Sequence, residues 1–296
     1  MKPAELKQRL KDGKPVFGYM IWCMTGMRWK RVYAGCGLDF VVIDSEHGSR
    51  DRELIANTVE QFQSLDITAI VRTPSTDPIY VAMAMDAGAD GVLVPYCEDI
   101  EEVKHCVGKL RTHPLKGEYY ENYVSTGEFP SDKTKKYFEK LHKDHIFIMG
   151  VESKPAAENI GNMIDSAKID GVFIGPNDMT TSLGIPNEND NPVYLETLKH
   201  VIGEADKRGV PTMIHQQTIE ASKVAIDLGA RFILHSSDAG ILLRGIQNEF
   251  AELKTSVNEK YGSDKCIESS INILALCQHC LRSLNKMDKI SLIINT

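Results

Sequence analysis

No run in this 296-residue sequence approaches the roughly 18 consecutive apolar residues of a membrane span. The N-terminal stretch MKPAELKQRLKDGKPVF likewise lacks the apolar core of a secretory signal, so the expected compartment is the cytoplasm. Basic residues are not in excess: 34 Lys and Arg against 41 Asp and Glu give a net charge of -7, the wrong sign for a phosphate-backbone partner. Neither nucleic acid nor membrane is therefore expected as a partner. Cysteine is sparse and odd in number, seven residues spread over a chain too large to need disulfide staples, which reads as reduced thiols. Cys277-Gln278-His279-Cys280 is a lone CxxC without a second pair at zinc-site spacing and reads as one face of a C-terminal helix. No GxGxxG opens the first helix and no GxxxxGK[ST] occurs, which removes the common dinucleotide and P-loop fingerprints.

What is present is a rhythm. Eight short apolar runs occur at Val16 to Met20, Phe40 to Ile43, Ala69 to Val71, Gly91 to Val94, Ile146 to Val151, Gly171 to Ile174, Pro211 to Ile214 and Phe232 to Leu234. Helical periodicity separates most of them; between Asp51 and Leu65, for example, Leu54, Ile55, Val59, Phe62 and Leu65 form one apolar stripe. Gly37, Gly88 and Gly229 each stand just before a strand, where a helix C-cap glycine belongs. Runs apolar on both faces and joined by helices predict a parallel sheet covered all round, and eight of them predict a (β/α)8 TIM barrel. An open doubly wound sheet is the alternative. The barrel is expected over residues 1–258, with an additional helical C-terminal tail over 259–296. Lys116 to His145, the longest gap between runs, is predicted to hold a long loop as well as a helix.

In such a barrel, chemistry collects where the strands end. The residues following the runs are Asp44, Ser45, Glu46 and His47; Arg72; Glu152; Gly175, Pro176, Asn177 and Asp178; His215; and His235. Glu152 and Asp178 end consecutive runs, so both carboxylates can reach one hard cation, Mg2+ or Mn2+; alternatively each simply caps the next helix. His47 is either a base oriented by Asp44 or a loop histidine bonded to backbone. Arg72 suits an anionic substrate or an enolate oxygen, or else a salt bridge to Glu46 or Glu152. Trp22 is placed near the end of the first strand, and His215, Glu46 and Asp86 are supporting candidates. No strand ends directly in lysine, so a Schiff-base route has no evident nucleophile.

The phrases Asp39-Phe40-Val41-Val42-Ile43-Asp44-Ser45-Glu46-His47-Gly48, Val71-Arg72-Thr73-Pro74, Val151-Glu152-Ser153 and Phe173-Ile174-Gly175-Pro176-Asn177-Asp178 occur in this order. Together they resemble the HpcH/HpaI aldolase family, metal-dependent class II aldolases acting on 2-oxo acids. The resemblance implies Glu152 and Asp178 as ligands of a divalent ion (Mg2+, Mn2+ or another), His47 with Asp44 as acid and base, and Arg72 on the enolate oxygen. It places the 2-oxo acid carboxylate at Gly175, Pro176, Asn177 and Asp178. It further implies cleavage of a 4-hydroxy-2-oxo acid to pyruvate and an aldehyde, and a homohexamer to whose interfaces Asp86 and residues 239–257 contribute. Oxaloacetate decarboxylation on the same site and a catalytically silent oxo-acid-binding barrel are the other readings. Two departures stand out. Gly117-Glu118-Tyr119-Tyr120 replaces the family's Gly-x-Arg-Gly, and Gly150 stands where many relatives carry glutamine, a change expected to open space.

Overall fold

The computed structural model describes residues 1–24 and 26–261. Eight strands, β1 (Val16–Ile21), β2 (Phe40–Asp44), β3 (Thr68–Arg72), β4 (Gly91–Val94), β5 (Ile146–Gly150), β6 (Gly171–Ile174), β7 (Thr212–Gln216) and β8 (Phe232–Ser237), close into a barrel in chain order. Every neighbouring pair is parallel, and β1 pairs with β8, which excludes the open sheet. The strands match the eight apolar runs to within three residues at each end.

Because successive side chains alternate sides, each strand serves two cores. Met20, Phe40, Val42, Ile70, Leu93, Ile148, Phe173, Met213 and Leu234 fill the barrel interior. Val41, Ile43, Ala69, Val71, Phe147 and Met149 face outward into the larger core beneath the helices. Each such side chain contributes about 1.5–3 kcal/mol on burial, which is why the runs lack polar alternation. Leu6 and Leu10 of the helix Pro3–Lys11 join the interior core from the end at which the strands begin. At Gly18 a Cβ would meet the Phe40 ring at 2.8 Å; without one, that ring packs T-shaped on Phe232, 4.6 Å between centroids.

The helix expected from Asp51 spans Arg52–Gln63, capped by the Asp51 carboxylate on the Leu54 amide. Lys116 to His145 differs from expectation: two helices, Gly117–Thr126 and Asp132–His142, occupy it with no long loop. Gly127, at φ +74, ends the first, and the Ser131 hydroxyl caps the second, so the turn needs only residues 127–131.

A compact unit of residues Met1–Leu243 holds the barrel, and a second unit begins at Arg244. The helix Asp238–Tyr261 crosses that point, as it crosses the boundary expected at 258. Within the second unit it exposes Ile246, Phe250, Leu253 and Val257 along one stripe. The expected tail beyond Tyr261, including Cys277 and Cys280, lies outside the described residues. No described helix is long and apolar enough to cross a membrane.

Candidate active site

The inward-facing columns continue past the apolar residues and become polar at the C-terminal mouth. Asp44 follows Val42, Arg72 follows Ile70, and His215 follows Met213 in the same two-residue step. The β2–β3 register sets Asp44 directly beside Arg72. Arg72 donates from Nε to Asp44 Oδ1 at 2.9 Å and from Nη2 to Oδ2 at 2.6 Å, a bidentate pair with 4% and 0% exposure. Burial alone would raise the Asp44 carboxyl, but the hydrogen bonds and charge of Arg72 outweigh it and hold it below the ordinary carboxylate range. Burial opposes the Arg72 charge in turn, and Asp44, Glu46 and Glu152 more than restore it. Arg72 Nη1 lies 3.0 Å from Glu46 Oε2, without hydrogen-bond alignment.

On β5 the inward step runs through Gly150 to Glu152. The departure at Gly150 does not open space. A Cβ there would stand 2.8 Å from Pro95 Cα and from the Val94 carbonyl oxygen, and 3.0 Å from Glu152 Oε2. Backbone from the end of β4 fills the volume instead, and the Cys97 amide donates to the Gly150 carbonyl at 2.9 Å. Tyr96 adopts the left-handed region (φ +49), a strain of about 1–3 kcal/mol for a residue with a side chain, and its amide donates to Glu152 Oε2 at 2.8 Å. Burial, with Asp178 and Glu46 adding like charge, pushes the Glu152 carboxyl up to about 8 against the Tyr96 amide and Arg72.

Asp178 is not a cap. It lies in the first turn of the helix Pro176–Ser182, whose N-cap is Gly175, and its carboxylate makes no hydrogen bond among the described residues. A Cβ on Gly175 would overlap Glu152 Oε1 and lie 3.3 Å from Asp178 Oδ2, so the missing side chain leaves both oxygens facing one point. This donor set fits a hard divalent cation, whose charge would let the two carboxylates ionise side by side. Among the described residues no three His, Cys, Asp or Glu side chains form a cation cage, so Glu152 and Asp178 would share the ion with water and substrate.

Several expectations are corrected by geometry. Asp44 does not orient the His47 ring: its oxygens are taken by Arg72 and by the Glu46 amide, with the His47 amide at 3.4 Å. The ring, half exposed, instead has its Nε2 3.8 Å from Glu46 Oε2. Asp86 is not near the site; it ends the helix Pro78–Asp86, before β4 begins, and binds His113 and Arg52. His235 faces outward, bonded to the Ser222 hydroxyl, because it is one residue off the inward column of Leu234. His215 does lie inward, its Nε2 3.0 Å from the Ser236 carbonyl oxygen and its ring edge-on to Trp22 at 6.0 Å. Burial lowers it to about 4, with Arg72 adding to the effect, so it is neutral at pH 7.

Three contributors were not foreseen. Asp238, 1% exposed, accepts from the amides of Trp22, Cys23 and Met24 and ties the β1 loop to the end of β8. Tyr96 holds Glu152 as described. Arg50 donates from Nη1 to the Asp44 carbonyl oxygen at 2.7 Å, while its Nε and Nη2 are buried with no partner. The phrase His47-Gly48-Ser49-Arg50 after a strand end was the available signal for Arg50; Tyr96 offered none, since its role rests on its backbone.

Known proteins share this architecture. The chain is 26% identical over 253 residues to a pyruvate aldolase of Rhizobium etli, covering 84% of this chain and 97% of that one. It is 25% identical over 253 residues to a 4-hydroxy-2-oxo-heptane-1,7-dioate aldolase of Salmonella dublin, covering 83% and 93%. A crystal structure of an HpcH/HpaI aldolase/citrate lyase family protein from Burkholderia cenocepacia superposes with a TM-score of 0.73 at 25% identity, over 85% of this chain and 99% of that one. Residues 28–242 match the family as a whole, and the chain accordingly belongs to the HpcH/HpaI aldolase/citrate lyase family of carbon-carbon lyases.

Proposed function

We propose that the protein is a divalent-metal-dependent aldolase that cleaves a 4-hydroxy-2-oxo acid to pyruvate and an aldehyde. The observation that carries this reading is the pair Glu152 Oε1 and Asp178 Oδ2 converging over the bare Cα of Gly175, with Arg72 at the same mouth. Glu152 and Asp178 would hold Mg2+, Mn2+ or a similar ion, which supplies Lewis-acid polarisation of a 2-oxo group when bound. The first-turn amides at Asn177 and Asp178, next to Gly175 and Pro176, receive the substrate carboxylate. His47, with Glu46 beside its ring, takes the proton of the 4-hydroxyl. The C3–C4 electron pair then passes into the enolate, whose oxygen Arg72 Nη1 stabilises, the aldehyde leaves, and the proton held by His47 is returned to C3 to give pyruvate. Trp22 and neutral His215 wall the mouth. The unpartnered Nε and Nη2 of Arg50 suit a second acidic group on the substrate, the feature named in the dioate aldolase relative.

Decarboxylation of oxaloacetate is the second reading, since it uses the same enolate chemistry without an aldehyde pocket and Gly117-Glu118-Tyr119-Tyr120 lacks the family's Gly-x-Arg-Gly arginine. Both substrates offered to one preparation, with Mn2+ and with chelator, separate the two. Metal-dependent release of pyruvate and aldehyde from 4-hydroxy-2-oxo acids supports the aldolase, whereas turnover of oxaloacetate alone replaces it. Binding of pyruvate without turnover of either would mark a silent barrel.

The working form is proposed to be a cytosolic homo-oligomer, a hexamer by family resemblance. Cys23, Cys36, Cys97 and Cys106 are free thiols, in keeping with a reducing compartment. A groove of about 740 Å3, lined by Phe17, Tyr33, Ile219, Ile226 and Ile233, opens on the barrel unit. The stripe Ile246, Phe250, Leu253 and Val257 of a neighbouring subunit would fill it. Light scattering of wild type and of Phe250→Glu/Leu253→Glu tests this: an oligomer reduced to monomer by the double substitution is expected, and a monomeric wild type refutes it.

A further inference from the structure

A second cavity, of about 680 Å3, opens between the helices Ile100–Thr112, Gly117–Thr126 and Asp132–His142 and the segment leading into β6. It lies at the start of β5, whereas Glu152 lies beyond that strand's other end. No group in it takes part in the chemistry proposed at the mouth. The two helices that replaced the expected loop build much of its wall.

That wall is a row of rings. Tyr123 and Phe129 have centroids 4.6 Å apart, Phe129 and Phe138 6.1 Å, and Phe138 stacks on His142 at 5.8 Å with 19° between planes. Burial lowers the His142 ring below its ordinary pKa, so it is neutral at pH 7 and extends the wall. The remaining lining carries four cationic side chains, Lys104, Arg111, Lys143 and Lys168, against one carboxylate, Glu139, in a chain whose net charge is -7.

Most of those cations are already matched in part, and the exceptions are informative. Lys104 pairs with Glu101 at 2.7 Å and Lys143 with Asp144 at 3.7 Å, both outside the cavity lining. Arg111, 9% exposed, uses Nη1 on the carbonyls of His142 and His145 and Nη2 on Asp170. Asp170 is shared with Lys7 at 2.9 Å, so the trio keeps a net positive charge. Arg111 Nε is buried with no partner, an unmet donor that a native core rarely keeps without a reason. Lys168 is exposed and makes no ion pair among the described residues.

We propose that this cavity binds a small organic anion built on a planar aromatic ring. The ring lies against Tyr123, Phe129 and Phe138, and its carboxylate or phosphate meets Lys168 and the Arg111 Nε. The volume is that of an ordinary small-ligand site.

Calorimetric titration of the full chain with 2-naphthoate, with adenosine monophosphate and with neutral 2-naphthalenemethanol tests the proposal. One of the two anions is expected to saturate at one equivalent per chain, and which one does so assigns the anionic group. The neutral alcohol should bind about tenfold more weakly or worse. Lys168→Glu, a substitution at an exposed side chain that leaves the core intact, should weaken the anion by about tenfold or more, and Phe129→Ala should weaken it as well. Glu152→Gln should leave it unchanged, since the mouth is not involved. Failure of both anions to saturate, equal binding by Lys168→Glu, or loss of binding in Glu152→Gln would each overturn the assignment.

Discussion

Replacing Asp44 by Asn leaves the shape of the mouth intact while stripping the charge that holds Arg72. The two side chains are 0% and 4% exposed, and hydrogen bonds of 2.9 and 2.6 Å join them. After the substitution Arg72 keeps only Glu46, 3.0 Å from its Nη1, as a near anionic partner. Breaking one side of a buried pair costs about 3–5 kcal/mol, and the surviving Glu46 contact places Asp44→Asn at the lower end, ~3 kcal/mol at pH 7. Arg72→Met should cost a similar amount, because Asp44 then rests on backbone amides alone. Removing both charges together should recover about 1–2 kcal/mol of the summed loss. The pH dependence has a definite sign. The folded Asp44 pKa lies below the ordinary 3.8, so its contribution is fully present above that value and disappears as the pH falls through the lower folded pKa. Urea unfolding in chelator, on the wild type, both single variants and the double, between pH 8 and pH 3, reads all of this. Single losses below about 1 kcal/mol, or strict additivity, would refute the picture of Arg72 fixed by Asp44.

Other consequences follow from the same geometry. In chelator, the wild type should lose stability as pH rises from about 5 to 8, because the unfolded chain releases the Glu152 proton that the folded chain retains. Glu152→Gln should flatten that slope and be the more stable protein at pH 8, by ~2–4 kcal/mol; thermal melts giving the reverse order contradict the burial of this carboxyl. Gly150→Ala drives a Cβ against the backbone of Val94 and Pro95 and displaces the Tyr96 amide from Glu152, costing about 1–3 kcal/mol. Its Mn2+ requirement should rise about tenfold, and an unchanged Mn2+ titration would show that the β4 end does not position Glu152. Arg50→Ala should lower kcat/KM about tenfold or more for a diacid substrate and much less for a monoacid; equal losses on both would remove Arg50 from substrate recognition.

The barrel could be read from the sequence because its strands are apolar on both faces, which leaves an unbroken run of Val, Ile and Phe at each. Asp44, Arg72 and Glu152 could be placed near the mouth because they stand at the ends of such runs, and Asp178 because it lies in the first turn of the helix that follows β6. The pairing among them was not. Asp44 is three residues from His47 in the chain, yet the parallel register gives its carboxylate to Arg72, and Glu46 becomes the neighbour of the His47 ring. His235 looked like a mouth residue until the two-residue alternation of β8 turned it outward. Gly150 was misread because an absent side chain signals either a hole or a close backbone approach, and only the position of Pro95 decides between them. Asp86 shares the strand-flanking character of the others but sits at the opposite end of its βα unit.

In the proposed function, Glu152 and Asp178 together support enolate formation at a 2-oxo acid. Proton NMR of pyruvate in D2O measures it most directly, with Mg2+ or Mn2+ and, separately, with chelator. The account predicts loss of the methyl signal that requires the metal and disappears in Glu152→Gln and Asp178→Asn, both still folded. Methyl exchange that persists in chelator or in either variant, or no exchange with any divalent ion, would contradict it.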